Sequence, residues 1–409
     1  MAARVILLIA ACTMAGAGCS DQHTSGPETA PTPGHSSPPP TVAADPVWEK
    51  LRSMTLEQQL GQMIIAGVPG TLMDEETGRL ITQYHVGGFI LYKANLQTVD
   101  QTRALLNGLK ESNRSASVPL FLSIDQEGGK VSRLPAPLIP LPSSREIAGG
   151  GSSSRALAVG EAIGQQLQAF GFNVNYAPVL DIDSNPQNPV IGSRSFGSTA
   201  ALVSSFGIRE MEGLRASGII PVVKHFPGHG DTSVDSHLEL PVVNKTLREL
   251  QELELVPFAQ AVKSQADAVM IAHILLPEID PDHPATMSQA VIAGLLRGRM
   301  GFDGVVITDD MTMGAILNHY DLGQAAVQSV QAGSDIVLVA HSSANAIMVL
   351  DMLKQAVASG VLSEERIGES VYRILTLKER YNLSDSPAGL VDVERINAAV
   401  REALEDSGG

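Results

Sequence analysis

The body of this 409-residue chain lacks cysteine: its only two, Cys12 and Cys19, lie near the start. No disulfide can brace the rest, so burial must hold it together even in an oxidising compartment. Aromatic residues are scarce, at 4% with a single tryptophan, so the core must come from Leu, Ile, Val, Ala and Met within a 44% apolar composition. Positive charge is also short. Lys and Arg number 28 against 44 Asp and Glu, a formal net charge of −16. That balance argues against nucleic acid as a partner, because phosphates call for a basic surface. No apolar run reaches the ~20 residues that a membrane-spanning helix needs.

What is present begins with a targeting pattern. "MAARVILLIAACTMAGAGCS" has one positive residue, Arg4, then a short apolar run, then small residues before Cys19, as in a secretory signal. "AGAGC" also fits a bacterial lipoprotein cleavage site, with Cys19 as the lipidated first residue. Cys12, preceded by "LIAA", is the alternative; Cys19 is preferred because polar sequence starts directly after it. Residues 20–45 are rich in Pro, Ser and Thr. Such a segment buries too little apolar surface to fold and reads as a semi-extended linker of ~3.1 Å per residue. The expectation is a signal peptide over 1–19, a linker over 20–45, and an exported domain anchored to the membrane by lipid.

From residue 46 on, short apolar runs alternate with helical patterns. Eight strands are predicted, from "QMIIAGV", "GGFILY", "LFLSID", "NVNYAPVLD", "IIPVVKH", "AVMIAHI", "GVVITDD" and "DIVLVA". Helix-length stretches such as "DQTRALLNGLKESN", "SRALAVGEAIGQQLQAFG" and "AALVSSFGIREMEGLRASG" space their apolar residues by three and four. The strands are apolar nearly throughout, as in parallel sheets buried on both faces. Eight β-α units over 46–385 predict an α/β fold, a (β/α)8 TIM-type barrel, with 386–409 as a C-terminal helix and tail. A doubly wound open sheet is the competing architecture. Where the ionisable groups fall favours the barrel. Asp125, Asp181, Lys224 with His225, His273, and Asp309 with Asp310 all sit at or just past the C-terminal ends of strands, where barrel enzymes gather their chemistry.

Each candidate has a plainer reading. One of Asp309 and Asp310 can cap the next helix while the other serves as nucleophile or base. Asp125, in "IDQEGG", can accept hydrogen bonds from ligand hydroxyls. Glu127 can be a general acid, or can pair with a basic residue such as Lys130. Arg133 carries a fork suited to polar recognition, and Arg194 is either a ligand contact or a weak surface ion pair. His225 and His229, spaced by four, match a helical metal pair. Pro227, Gly228 and Gly230 make a helix there untenable, so a metal is not expected. In "DSH", Asp235 can hold one nitrogen of His237 and leave the other to exchange protons.

Taken together, "KHFPGHGDTSVDSH", "IDQEGGKVSRL", "IGSRSFG" and "GVVITDDMTMGA" resemble the signature segments of glycoside hydrolase family 3 β-N-acetylglucosaminidases; "PATMS" adds to the likeness. The resemblance covers roughly 46–382. It implies Asp309 as nucleophile, His237 as acid/base with Asp235 as its partner, and Asp125, Arg133, Arg194, Lys224 and His225 as contacts to a terminal N-acetylglucosamine. It implies retention of configuration and no cofactor or metal. The implied substrate is a cell-wall fragment, N-acetylglucosamine joined β-1,4 to N-acetylmuramic acid, met on the cell-wall side of the membrane. A phosphorylase or β-glucosidase of the same family, and a non-enzymatic wall-binding lipoprotein, are the alternatives. Many members carry a second α/β domain; here a single catalytic domain, acting as a monomer, is expected.

Overall fold

The computed structural model describes residues 45–405; the signal, Cys12, Cys19 and nearly all of the linker lie outside them. Eight parallel strands form one sheet: β1 (Ile64–Gly67), β2 (Gly88–Leu91), β3 (Phe121–Ile124), β4 (Val174–Asn175), β5 (Ile220–Phe226), β6 (Ala268–Ile271), β7 (Val305–Thr308) and β8 (Val337–Val339). Each pairs with its neighbour in sequence, and β8 also pairs with β1, as in Ile64 with Val337. The last seam, β7 to β8, is closed by a bridge between Ile307 and Ile336, where the Thr308 amide donates to the Ile336 carbonyl at 3.0 Å. That seam turns the sheet into a barrel and removes the open-sheet alternative.

All eight predicted runs contain a strand, and most strand residues are buried. The fourth is the shortest. "NVNYAPVLD" pairs only over Val174–Asn175, then again at Val179 beside Lys224. Between them stands Pro178, which has no N–H to give the ladder. Side-chain amides fill in: Asn173 donates to the Leu120 carbonyl at 2.9 Å and accepts from the Leu122 amide at 2.8 Å. Asn175 brackets Gln126 in the same way, at 2.9 Å each.

The helical periodicity was equally direct, with helices at Val99–Ser112, Ser154–Phe170 and Ala200–Ala216. A further helix, Val393–Glu405, buries Ile396 and Val400. It is tied to the loop after β3 by Asn397, which accepts from the Ile139 amide at 2.9 Å. At the N-terminal end of the barrel, Lys378 Nζ donates to Gln62 Oε1, the Gly87 carbonyl and the Pro119 carbonyl at 2.8, 2.9 and 2.6 Å. These three acceptors match the three donors of an ammonium, which plugs the bottom of the barrel and leaves the opposite mouth for chemistry.

Candidate active site

The C-terminal ends of the strands line one cavity of about 330 Å³. Asp125, Arg133, Arg194, Lys224, His225, His237 and Asp309 all line it. The seven come from the ends of β3, β5 and β7 and from the loops that follow β3, β4 and β5.

Four of the ionisable groups neutralise one another. Lys224 is buried and donates to Asp125 Oδ1 at 2.5 Å and to Glu127 Oε1 at 2.7 Å. Arg194 grips Glu127 with two bonds, at 2.8 and 2.7 Å. Burial raises the Glu127 pKa, but Arg194 and Lys224 overcome that and hold the carboxyl far below its usual range. Glu127 therefore stays ionised and cannot be a general acid. Its partners are Arg194 and Lys224 rather than Lys130, whose Nζ donates to the Val190 carbonyl. Nor is Arg194 a surface ion pair; its side chain is only 11% exposed. Arg133 differs. No carboxylate pairs with it among the described residues, and its Nε is buried without a partner, so its guanidinium is available to a ligand in the cavity.

His225 is set by Asp181, a strand-end residue that is completely buried. Asp181 Oδ2 lies 2.6 Å from His225 Nδ1, and its Oδ1 accepts from the amides of His225 and His229 at 3.3 and 2.6 Å. Burial pushes the Asp181 carboxyl up; His225 and the amide donors outweigh it and bring it below its ordinary value. His225 Nε2 sits 3.5 Å from Arg194 Nη2, so this imidazole links the carboxylate beneath it to the cluster above.

At the end of β7 the two aspartates divide. Asp310 Oδ1 accepts from the amides of Thr312 and Ala340, both at 3.0 Å, and from the Thr312 hydroxyl at 2.7 Å. It therefore staples β7 to β8 and leaves Asp309 as the free carboxylate. Asp309 accepts from the Asp310 amide at 2.8 Å. Burial raises its pKa, but the imidazoles of His273 and His225, together with that amide, bring it below its ordinary value. His273 supports the same turn. Its Nε2 donates to the Asp310 carbonyl at 3.0 Å, and its Nδ1 lies 2.6 Å from the Thr286 hydroxyl of the "PATMS" segment, which itself donates to the Ala272 carbonyl at 3.1 Å.

The loop after β5 carries the pair anticipated from "DSH". His237 Nδ1 lies 2.8 Å from Asp235 Oδ1, which also accepts the His237 amide at 2.9 Å. With Nδ1–H on the carboxylate, Nε2 is left for proton exchange. The His237 side chain is 62% exposed. It lines the same cavity as Asp309. His229 is occupied at both nitrogens, by Thr232 Oγ1 at 2.9 Å and Ser236 Oγ at 3.0 Å. Among the described residues no three His, Cys, Asp or Glu side chains are grouped as metal ligands.

Against known families, residues 55–377 match the glycosyl hydrolase family 3 N terminal domain. The chain belongs to that family. Beta-hexosaminidase LpqI of Mycobacterium tuberculosis is 33% identical over 380 residues, 91% of this chain and 94% of that protein. Beta-hexosaminidase A of Pseudoalteromonas piscicida is 34% identical over 344 residues; the match takes in 78% of this chain but only 57% of that longer relative. A family 3 β-N-acetylglucosaminidase from Paenibacillus sp. superposes with a TM-score of 0.81 at 43% identity, over 87% of this chain and 69% of its own.

Of the predicted site residues of this family 3 chain, seven line the cavity; Asp235 reaches it only through its bond to His237, and Cys19 lies outside the described residues. Sequence reasoning missed Tyr92 and His341, whose rings stack with centroids 5.4 Å apart at the cavity rim. Each directly follows or closely trails an apolar strand run, the same signal that picked out the aspartates. Met270 and Met313 on the cavity wall carried no such signal.

Proposed function

We propose that this family 3 glycoside hydrolase is an exo-acting, retaining β-N-acetylglucosaminidase that removes terminal N-acetylglucosamine from cell-wall saccharide fragments. The observation that carries the reading is one cavity with a free carboxylate, Asp309, on one side and an Asp-supported imidazole, His237, on another. A carboxylate beside a proton donor is what covalent glycoside cleavage requires.

In the first step Asp309 attacks the anomeric carbon while His237 Nε2–H protonates the leaving oxygen. The glycosidic bond breaks as the glycosyl–Asp309 ester forms. In the second step His237, now neutral, takes a proton from water as that water displaces Asp309. Asp235 fixes the tautomer and stabilises the imidazolium. Asp125 receives sugar hydroxyls, and Arg133, Arg194, Lys224 and His225 supply donors around the ring. His237 is favoured as the acid because the other cavity imidazoles are placed otherwise: His229 is bound to two hydroxyls, His225 to Asp181 and Arg194, and His341 stacks on Tyr92 with its Nε2 3.7 Å from Asp310 rather than on a carboxylate through Nδ1. No cofactor enters these steps. On the sequence pattern, lipidation at Cys19 would hold the enzyme, as a monomer, to the outer face of the membrane beside its substrate.

The test is incubation with N-acetylglucosaminyl-β-1,4-N-acetylmuramic acid, with and without phosphate. Free N-acetylglucosamine in both arms supports hydrolysis. Its 1-phosphate in the phosphate arm would replace water as the acceptor, a reading compatible with an imidazole acid that does not repel an anion. Turnover of 4-nitrophenyl glucoside but not of the N-acetylglucosaminide would overturn the sugar assignment. Tight binding without turnover would make the protein a wall-binding module.

A further inference from the structure

The segment that carries His237 is anchored at some points and free between them. Thr232 and Ser236 are buried, while Ser233, Val234, His237 and Leu238 face solvent. The inward anchor is His229, only 1% exposed, whose two nitrogens meet Thr232 Oγ1 and Ser236 Oγ. The Thr232 hydroxyl donates to the His229 carbonyl at 3.1 Å, so His229 Nδ1–H must donate to Thr232. Nε2 is then the acceptor, and the Ser236 hydroxyl donates to it. Burial, and then His225, push the His229 pKa down to about 4, so the ring keeps this neutral form at neutral pH.

A second set of bonds closes on the segment from the far side. The Ala315 amide donates to the Ser236 carbonyl at 3.1 Å, and the Gly314 amide to the His237 carbonyl at 3.2 Å. Both donors belong to the short helix that follows Asp309. Only glycine fits at 314: a Cβ there would lie 2.7 Å from the His237 carbonyl oxygen and 2.8 Å from that of Leu238. Ser236, between Asp235 and His237, is thus gripped at its side chain by the β5 loop and at its backbone by the Asp309 segment.

We infer that His229 and Ser236 form a latch that positions the acid/base. The inference rests on the reading of His237 as that group. Neither latch side chain is assigned a contact with the reacting atoms; both act through His237. The hydroxyl-to-imidazole bond holds the segment at its side chain, and the backbone bonds from Gly314 and Ala315 hold it in register with Asp309.

Ser236→Ala tests this in the full protein without altering Asp235 or His237. We expect kcat/KM on the unactivated disaccharide to fall by about 10- to 100-fold, the scale for a misplaced catalytic group. On the 2,4-dinitrophenyl glycoside, whose departure needs no acid, the same variant should stay within about 3-fold, because protonation then contributes little. His229→Asn should give the same split if it folds. An equal loss on both substrates, or none on either, overturns the positioning role. Amide exchange reads the latch separately, independent of turnover. Ser236→Ala should speed exchange across 231–240 by about 10-fold, as local opening becomes easier; unchanged exchange overturns the latch. A wild-type protein inactive on every N-acetylglucosaminide would sink the functional reading, and exchange would still decide the latch.

Discussion

Replacing Glu127 by Gln removes the centre of the charge cluster, and the structure sets how much that costs. Glu127 is 3% exposed and accepts three charge-assisted bonds, two from Arg194 and one from Lys224. An amide of the same shape keeps one acceptor oxygen and turns an N–H toward the cations. Lys224 and Arg194 are then left to share Asp125. Breaking a buried pair by removing one partner costs about 3–5 kcal/mol. The wild-type carboxyl lies below its ordinary value of 4.5 when folded. A depressed pKa of this kind contributes stability that is fully present above the unfolded value and is lost as pH falls through the folded one. The gap between wild type and variant should therefore be constant at neutral pH. Below about pH 4.5 it should shrink, with a limiting slope of about 1.4 kcal/mol per pH unit for the one proton involved. Urea unfolding of both proteins from pH 7 to pH 3 measures it. A difference under 1 kcal/mol at pH 7, or one that does not change down to pH 3, would refute the reasoning.

Further predictions separate mouth from base. Asp309→Asn should keep the fold and lower kcat by at least about 10³-fold, with no glycosyl-enzyme trapped by a 2-fluoro sugar in mass spectrometry; retained trapping would move the nucleophile elsewhere. Asp181→Asn should weaken the orientation of His225 and lower kcat/KM by about 10–100-fold through misplacement, with steady-state kinetics as the check. Gly230→Ala should fail to fold or lose several kcal/mol in urea titration, since its Cβ would lie 1.6 Å from the Ile182 carbonyl oxygen. Lys378→Met orphans three acceptors at the opposite end of the barrel and should destabilise by about 2–4 kcal/mol, while kcat/KM stays within 2-fold.

Much of the fold was legible because its signals are local. Burial on both faces makes a strand apolar throughout, and a helix shows its face every three or four residues, so each run can be read without its neighbours. As sequence, "NVNYAPVLD" reads as a full strand; Pro178 carried the signal of its interruption, while the substitution of Asn173 and Asn175 amides for ladder bonds left none. The candidate site divides along the same line. Asp125, His225 and Asp309 stood out because ionisable groups follow apolar runs, and the Asp235–His237 pair because an Asp two residues from a His can hold its ring. Tyr92 and His341 obeyed the same rule and were overlooked, being less strongly charged signals. Arg133 and Arg194 stood out as side chains suited to polar recognition or ion pairing, but only the family resemblance gave them a ligand, since an arginine in a loop does not say what it binds.

What the sequence determined by itself was the list of elements, the strand ends at which chemistry collects, and the inability of "KHFPGHG" to hold a helical metal pair. Only the tertiary structure decided which charges cancel. Lys224 and Asp125 are 99 residues apart, and Arg194 and Glu127 are 67 apart. They meet because a closed barrel puts the ends of β3 and β5, and the loop after β4, around one mouth. Closure likewise decided between Asp309 and Asp310, adjacent residues of one type. Asp310 reaches an amide beyond β8 and becomes a staple, and Asp309 keeps a carboxylate free for the cavity. Such pairings depend on distance in space, which short-range pattern in the chain does not encode.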